Sequence, residues 1–265
     1  MNPMANIAVK AARSAGNVIT RHIDRLDRLR VEAKGLNDYV SDVDRMAEQE
    51  IIGVIQKAYP DHQFLGEESG SQGDNDHVWI IDPLDGTTNF LHGFPHYAVS
   101  IALQVRGRLE VGVIYDPVRQ ELFAASRGGG ATLDGKRLRM PARRSIEGRL
   151  IGTGFPFRHP RHMPAYMGMF EAVCMRAGDL RRAGSAALDL AYVASGRLDG
   201  YWEIGLNAWD VAAGALIIRE AGGMIGDFEG SENYIRNGNV VAGSPKLFHD
   251  LLKEIQPHCT PAMRG

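Results

Sequence analysis

Apolar positions in the first sixty residues recur three and four apart. Ile7, Ala8, Ala11, Ala12, Ala15, Val18, Ile19, Ile23 and Leu26 make one stripe, with arginines between them. That spacing predicts a helix through the first thirty residues. A second stripe, Val43, Ala47, Ile51, Val54, Ile55 and Ala58, predicts a helix that begins at Ser41 and stops before Pro60. Ser41 is a good N-cap, and Asp44 three residues on completes a capping box. The stretch between the helices, 34–44, is rich in carboxylates and turn formers.

From Gln63 onward the pattern changes to short apolar runs at 64–65, 78–81, 97–105, 109–115 and 121–125, which predict strands. The runs 97–105 and 109–115, joined through Arg106-Gly107, predict a hairpin, and Gly128–Gly130 breaks the pattern. Further on, helices are expected at 165–176, 186–194 and 209–221, alternating with strands around 150–153, 198–202, 223–227 and 239–242. The first half therefore reads as α+β and the second as α/β. Glycine and proline cluster at 152–164, close to the expected boundary between halves 1–145 and 146–265, which together should form one compact unit. There is no internal repeat and no low-complexity segment.

Composition narrows the class. A chain of 265 residues, 44% hydrophobic and 23% charged, is long enough for a large core and is not a disordered polymer. A net charge of -2 gives no global basic field for nucleic acid. The local cluster Arg13, Arg21, Arg25, Arg28 and Arg30, and the pair Arg143-Arg144, read as solvated faces. Two distant cysteines, Cys174 and Cys259, are poor material for a disulfide framework and suit a reducing compartment. No apolar run reaches the ~18 residues of a membrane span, and residues 1–10 lack the features of a signal peptide, so the cytoplasm is expected.

The densest chemistry lies in Trp79-Ile80-Ile81-Asp82-Pro83-Leu84-Asp85-Gly86-Thr87-Thr88-Asn89-Phe90. The apolar run at 78–81 delivers Asp82 at a strand end, where Pro83 is expected to stop the strand. Asp85-Gly86-Thr87-Thr88 predicts a turn into a short helix, leaving the amides of Gly86, Thr87 and Thr88 for an anion such as phosphate. Two carboxylates three residues apart beside such amides repel each other, and a divalent cation relieves that repulsion. Hard oxygen ligands suit Mg2+ or Mn2+ better than zinc. Taken alone, the motif also fits an Asx-capped turn. Two further acidic segments shift the balance: Glu67-Glu68-Ser69-Gly70 at another strand end, and Asp210 after Trp209 at the start of an apolar helix running to Glu220-Ala221-Gly222-Gly223. Asp210 by itself fits a helix cap, and Glu203 by itself an exposed strand residue.

Together these segments resemble the inositol monophosphatase family, over essentially the whole chain up to the Gly243-Ser244-Pro245 segment. Both signature motifs, Trp79–Phe90 and Trp209-Asp210-Val211-Ala212-Ala213-Gly214 through Gly223, stand in the expected order and separation. The run from Arg181-Arg182-Ala183-Gly184-Ser185 to Ala194 is similar to the bacterial SuhB-type branch of that family. The resemblance implies a layered αβαβα sandwich and a phosphatase acting on inositol monophosphate with two or three Mg2+ ions, or Mn2+ in their place. It implies that Glu67, Asp82, Asp85 and Asp210, with the Leu84 carbonyl, are metal ligands. Thr87 and Glu67 would hold the attacking water, with Asp44 positioning them. Glu203 and Gly184-Ser185-Ala186, together with Asp85, Gly86, Thr87 and Asp210, would contact the substrate. His92 and His96, near the motif, are expected in supporting roles. The resemblance further implies lithium sensitivity, a homodimer and a partner in the RNA-polymerase antitermination machinery. For that partner the N-terminal arginines or Arg181-Arg182 are the expected surface. Fructose bisphosphate, 3′-phosphoadenosine phosphates, NADP and histidinol phosphate are alternative substrates within the same fold. Glu203, seven residues before Asp210, and the form of the first motif favour inositol phosphate.

Overall fold

Asn2 opens the first helix, its side chain accepting from the Met4 amide at 2.9 Å. The computed structural model describes residues 2–35 and 38–264; Leu36 and Asn37 of the 34–44 stretch, and the Arg28 side chain, lie outside the described residues. Helix α1 spans Pro3–Thr20, shorter than the apolar stripe predicts. The backbone leaves the helical region at Arg25 (φ -137°, ψ 30°), within a 3-10 segment at Ile23–Arg28. His22 Nδ1 donates to the Val18 carbonyl at 2.8 Å, satisfying one of the last carbonyls of α1. Two strands then form where only turn formers were evident: β1 Val31–Gly35 and β2 Asp38–Ser41, an antiparallel pair. Helix α2, Asp42–Ala58, begins with the expected capping box of Ser41 and Asp44. Val43, Ala47, Ile51 and Ile55 of its stripe are buried, whereas Ala58 is exposed in the last turn.

Strands β3 Gln63–Gly66, β4 Gly70–Gln72 and β5 His77–Asp85 come next, followed by the short helix α3, Thr87–Leu91. Strands β6 Ala98–Val105, β7 Arg108–Asp116, β8 Glu121–Ser126, β9 Gly130–Leu133 and β10 Lys136–Arg137 complete an eight-stranded sheet of order β10-β9-β8-β7-β6-β5-β3-β4. Neighbours are antiparallel except for β3 with β5. The predicted hairpin is β6–β7, with Arg106 (φ 49°) and Gly107 (φ 77°) both left-handed, as a two-residue turn matched to strand twist requires.

The second half holds β11 Leu150–Thr153, α4 Met163–Cys174, β12 Asp179–Arg181, α5 Ala186–Ser195, β13 Gly200–Glu203 and α6 Ala208–Glu220. It ends with β14 Met224–Gly226, α7 Tyr234–Asn237, β15 Val240–Gly243 and α8 Pro245–Ile255. These strands make a five-stranded sheet of order β12-β11-β13-β15-β14. Helix α8 is absent from the expectations above, although Leu247, Phe248, Leu251, Leu252 and Ile255 bury one clear face of it. The edge strands β4, β10 and β12, the short strand β9 beside β10 and the single turn α7 also escaped the pattern, being too short to carry a period.

The layers stack in the order αβαβα. Helices α1 and α2 cover one face of the large sheet, burying Trp79, Ile81, Val99, Ile101, Leu103, Val111 and Val113. Helices α5 and α6 fill the space between the two sheets, and α4 and α8 close the outer face of the smaller one over Trp202, Val241 and Ile151. Strand β6 is buried on both faces at Ala98–Leu103, so alternation is lost there and a continuous apolar run replaces it. Its large side chains face α1 and α2, while Ala98 and Ala102 face α6 and let that helix approach closely. Among the described residues no helix is long and apolar enough to cross a membrane, and Cys174 and Cys259 are both free.

Candidate active site

Strand β5 does not stop at Asp82; it runs through Pro83 to Asp85. Its register against β6 slips between Asp82 and Asp85, so Pro83 falls in a bulge where no ladder donor is needed. The bulge presents two acids in succession. Asp82 Oδ1 turns back to accept from the Leu84 amide at 3.0 Å. Asp85 reaches to the second half of the chain, where its Oδ2 accepts from Ser185 Oγ at 2.6 Å and from the Ala187 amide at 2.7 Å. Gly86 then takes φ 96°, and the predicted short helix follows at once as α3. A Cβ on Gly86 would sit 3.0 Å from the His96 carbonyl and 3.3 Å from that of Gly184, so both conformation and space demand glycine.

Asp210 enters from the N-terminal turn of α6. Its Oδ2 accepts from the Asn207 amide at 2.7 Å, a capping contact, and lies 3.4 Å from Arg158 Nη1. It is therefore a cap and also a member of the cluster. One carboxylate oxygen from each of Asp82, Asp85 and Asp210 lies within 4.8 Å of the others. Asp82 is 1% exposed and Asp210 4%. Burial first, then Glu67, Asp85 and Asp210, push the Asp82 carboxyl well above its usual range. Burial likewise raises Asp85 and Asp210 to about 6, although hydrogen bonds from Ser185 and Ala187 oppose it at the first and Arg158 at the second. An all-oxygen set whose members resist being charged together fits a hard divalent cation, which would restore all three to carboxylates.

Behind this cluster stands Asp44. Its Oδ2 accepts from the Ser41 amide at 2.9 Å and from Ser41 Oγ at 2.6 Å, while its Oδ1 accepts from Thr87 Oγ1 at 2.8 Å. Thr87 Oγ1 also lies 3.1 Å from the Leu84 carbonyl oxygen. Glu67 leaves the end of β3 with its amide bonded to the Ile81 carbonyl at 3.1 Å. Buried Glu48, on α2, fixes the turn after it by accepting from the Glu68 amide at 3.0 Å and the Ser69 amide at 2.8 Å. On β13, Glu203 accepts from the Tyr201 hydroxyl, and burial lifts its carboxyl to about 7. A Cβ on Gly154 would fall 2.0 Å from that carboxyl, so Gly154 makes room for it.

These groups meet in one cavity of about 460 Å³. Glu67, Asp82, Leu84, Asp85, Gly86, Thr87, Gly184, Ser185, Ala186, Glu203 and Asp210 all line it, while Asp44 stands outside the lining, behind Thr87. His92 also lines it, whereas His96 is buried, with its imidazole held down to about 4 by burial. Sequence reasoning passed over Arg158 and Asp189 in the wall, and Glu48 behind Glu67, and it gave Arg182, which also lines the wall, to a partner surface. A lone acid in the apolar run 186–191 was a visible signal for Asp189; the arginines had none, since loop geometry alone brings them in.

The chain as a whole is similar to known proteins. The model of the "Inositol monophosphatase family" matches residues 1–260. The chain is 54% identical to a Pseudomonas aeruginosa protein named "Nus factor SuhB", over the full length of both. Among solved structures, the extragenic suppressor protein SuhB of Bartonella henselae superposes with a TM-score of 0.92 at 46% identity, covering 95% of this chain and 97% of that one. The inositol monophosphatase of an Anabaena (Nostoc) species superposes at 0.85 with 35% identity, covering 95% and 94%.

Proposed function

Since this chain belongs to the inositol monophosphatase family, we propose that it is a metal-dependent phosphatase hydrolysing inositol monophosphate to inositol and phosphate. The observation that carries the reading is the convergence of Asp82, Asp85 and Asp210 from two sheets onto one point. Glu67, Asp82, Asp85, Asp210 and the Leu84 carbonyl would hold two or three Mg2+ ions, or Mn2+ in their place. When bound, such cations neutralise the phosphate, acidify a water and stabilise the departing alkoxide.

The chain's own groups do the positioning. Thr87 Oγ1, donating to Asp44 at 2.8 Å, keeps its lone pairs for a water proton, and Glu67, which lines the same cavity, steadies that water. The first amides of α3, at Gly86 and Thr87, receive phosphate oxygens. The turn Gly184-Ser185-Ala186 and Glu203 hold the polyol; Ser185 is itself held by Asp85, so the polyol and metal regions share a hydrogen bond. Asp85 and Asp210 contribute to both regions. The two halves, 1–145 and 146–265, act as one unit around this cavity.

The test is phosphate release from inositol 1-phosphate, fructose bisphosphate, a 3′-phosphoadenosine phosphate, NADP and histidinol phosphate, each with Mg2+. Inositol 1-phosphate is expected to give the highest kcat/KM, and a different winner would reassign the substrate. Millimolar Li+ is expected to slow turnover uncompetitively, with Na+ as the control; unchanged rates would remove lithium sensitivity from the reading.

A second role is favoured by the name "Nus factor SuhB" borne by a relative that matches full length. We propose that this chain too contacts the antitermination machinery of RNA polymerase, in the cytoplasm, as a homodimer or its dissociated subunit. Exposed Arg13, Arg21, Arg25 and Arg181 offer the surface. Capture of polymerase by both wild type and Asp85→Asn is expected, because a scaffold role is independent of turnover. Light scattering reports the oligomer.

A further inference from the structure

Asp189 stands in the first half of α5, within Ala186-Ala187-Leu188-Asp189-Leu190-Ala191. Its five companions in that run belong to the core between the sheets. Asp189 is only 2% exposed, yet it forms part of the wall of the candidate active-site cavity. Its Oδ1 is sealed from bulk water and meets no hydrogen-bond partner. The helix does not need this acid, since the Ser185 side chain caps α5 by accepting from the Leu188 amide and Asp85 takes the Ala187 amide. A buried carboxylate oxygen with no hydrogen-bond partner is destabilising, and native structures rarely keep one without use.

A cation does not account for it: the acids whose oxygens converge tightly enough to share an ion are Asp82, Asp85 and Asp210, among the described residues. A phosphate does not either, because burial, Glu203 and Asp85 oppose further negative charge at Asp189 and outweigh Arg182, which favours it. A neutral hydroxyl suits the place, for it donates to a carboxylate and accepts from a carboxylic acid. Glu203, pinned by the Tyr201 hydroxyl, lines the same cavity.

We propose that Asp189 is a specificity-determining residue whose carboxyl forms a hydrogen bond with a hydroxyl of the polyol being released, beside Glu203. The proposal rests on the phosphatase reading above and deepens it. It makes the pocket selective for a polyhydroxylated leaving group over one without hydroxyls.

The experiment compares inositol 1-phosphate with p-nitrophenyl phosphate, whose leaving group has no further hydroxyl, for wild type, Asp189→Ala and Asp189→Asn, with a Tm for each. Asp189→Ala is expected to raise KM for inositol 1-phosphate at least about tenfold, since a site built to bond a hydroxyl loses it. KM for p-nitrophenyl phosphate should stay within about twofold and Tm should hold or rise, because an unsatisfied group is gone. Asp189→Asn, which keeps an acceptor and gains a donor, should recover most of the selectivity. Should Asp189→Ala not fold, Asp189→Leu, matched to the apolar neighbours, reads the same ratio. An unchanged KM ratio, or equal loss on both substrates with a lowered Tm, overturns the proposal. A wild type that releases phosphate from neither substrate in Mg2+ refutes the phosphatase reading itself, and the proposal falls with it. Turnover of both with an unaltered ratio in the variant refutes the proposal alone.

Discussion

Two groups of carboxylates in this chain invite comparison. Around Arg176 gather Glu147, Asp250 and Glu254, with Arg176 Nη2 3.0 Å from Asp250 Oδ2 and its other donors on the two glutamates. The Ser145 hydroxyl and then Arg176 hold the Glu147 carboxyl down to about 2. In the cavity, Asp82, Asp85 and Asp210 bring carboxylate oxygens within 4.8 Å of one another, but burial dominates there and every one of the three acids is pushed up. The first group carries its counter-ion in the sequence. The second sets three acids against one arginine, Arg158, which lies 3.4 Å from Asp210. Acids that serve the fold are supplied with an arginine, while acids that serve chemistry leave a charge deficit for something the chain does not encode.

The largest effect should come from removing that external charge. Chelation with EDTA is expected to abolish phosphate release and weaken substrate binding, since uncompensated acids repel the phosphate; turnover and a binding isotherm measure both. Full activity after exhaustive chelation would erase the distinction between the two groups. Next, Asp85→Asn should lower kcat at saturating Mg2+ by at least about 10- to 100-fold, the cost of disturbing even the outer partners of a metal. Asparagine serves caps and turns as well as aspartate does, so a merely structural Asp85 would tolerate it. Tm in EDTA should stay level or rise, and near-normal turnover would defeat the assignment.

Smaller, and opposite in sign for the two groups, is the response of stability to pH. Asp85 and Asp210 have folded values of about 6, above the ~3.9 of an unfolded aspartate. Their contribution to metal-free stability is therefore complete below about pH 4 and is lost as pH rises through about 6. Glu147, at about 2, contributes above its unfolded value of ~4.3, and that contribution is lost as pH falls toward 2. Melts in EDTA should decline between about pH 4 and 6, and Mg2+ should remove the decline; a rising Tm would mean that the cavity acids are already paired. Smallest of all, Arg176→Met should cost about 1 kcal/mol, or a Tm drop of about 2–4 °C, with kcat unchanged. A change in turnover would show that the two groups are coupled.

The parts of this molecule that the sequence made legible are those with a period or a punctuating residue. Ser41 with Asp44, the stripe of α2 and the turn at Arg106-Gly107 were readable because local chemistry decides them. The end of α1 was not, because its apolar stripe continues past the point where the backbone leaves the helical region at Arg25. Pro83 misled in a different way: its missing donor argues for a strand end, but a bulge absorbs it. Among the site residues, Asp82 and Asp85 announce themselves by their spacing, whereas Asp44 and Thr87, 43 positions apart in the chain, meet only through the tertiary fold that brings the first turns of α2 and α3 together. The wall contributed by Asp189 and Arg158 depends on how α5 and a loop sit in the cavity, which no local pattern encodes.

Helix α6 lies between the two sheets and carries Asp210 at its first turn. A chain leaving the ribosome N-terminus first has Glu67, Asp82 and Asp85 in hand long before residue 210 exists. Asp85 also waits for Ser185 and Ala187, and the smaller sheet is finished only when β15 has arrived at Val240–Gly243. The nascent protein thus synthesises most of its candidate metal ligands early and assembles the cavity last. Prematurely terminated chains that end before α6 lack a closed centre, so the appearance of activity during synthesis would time the docking of the second half onto the first.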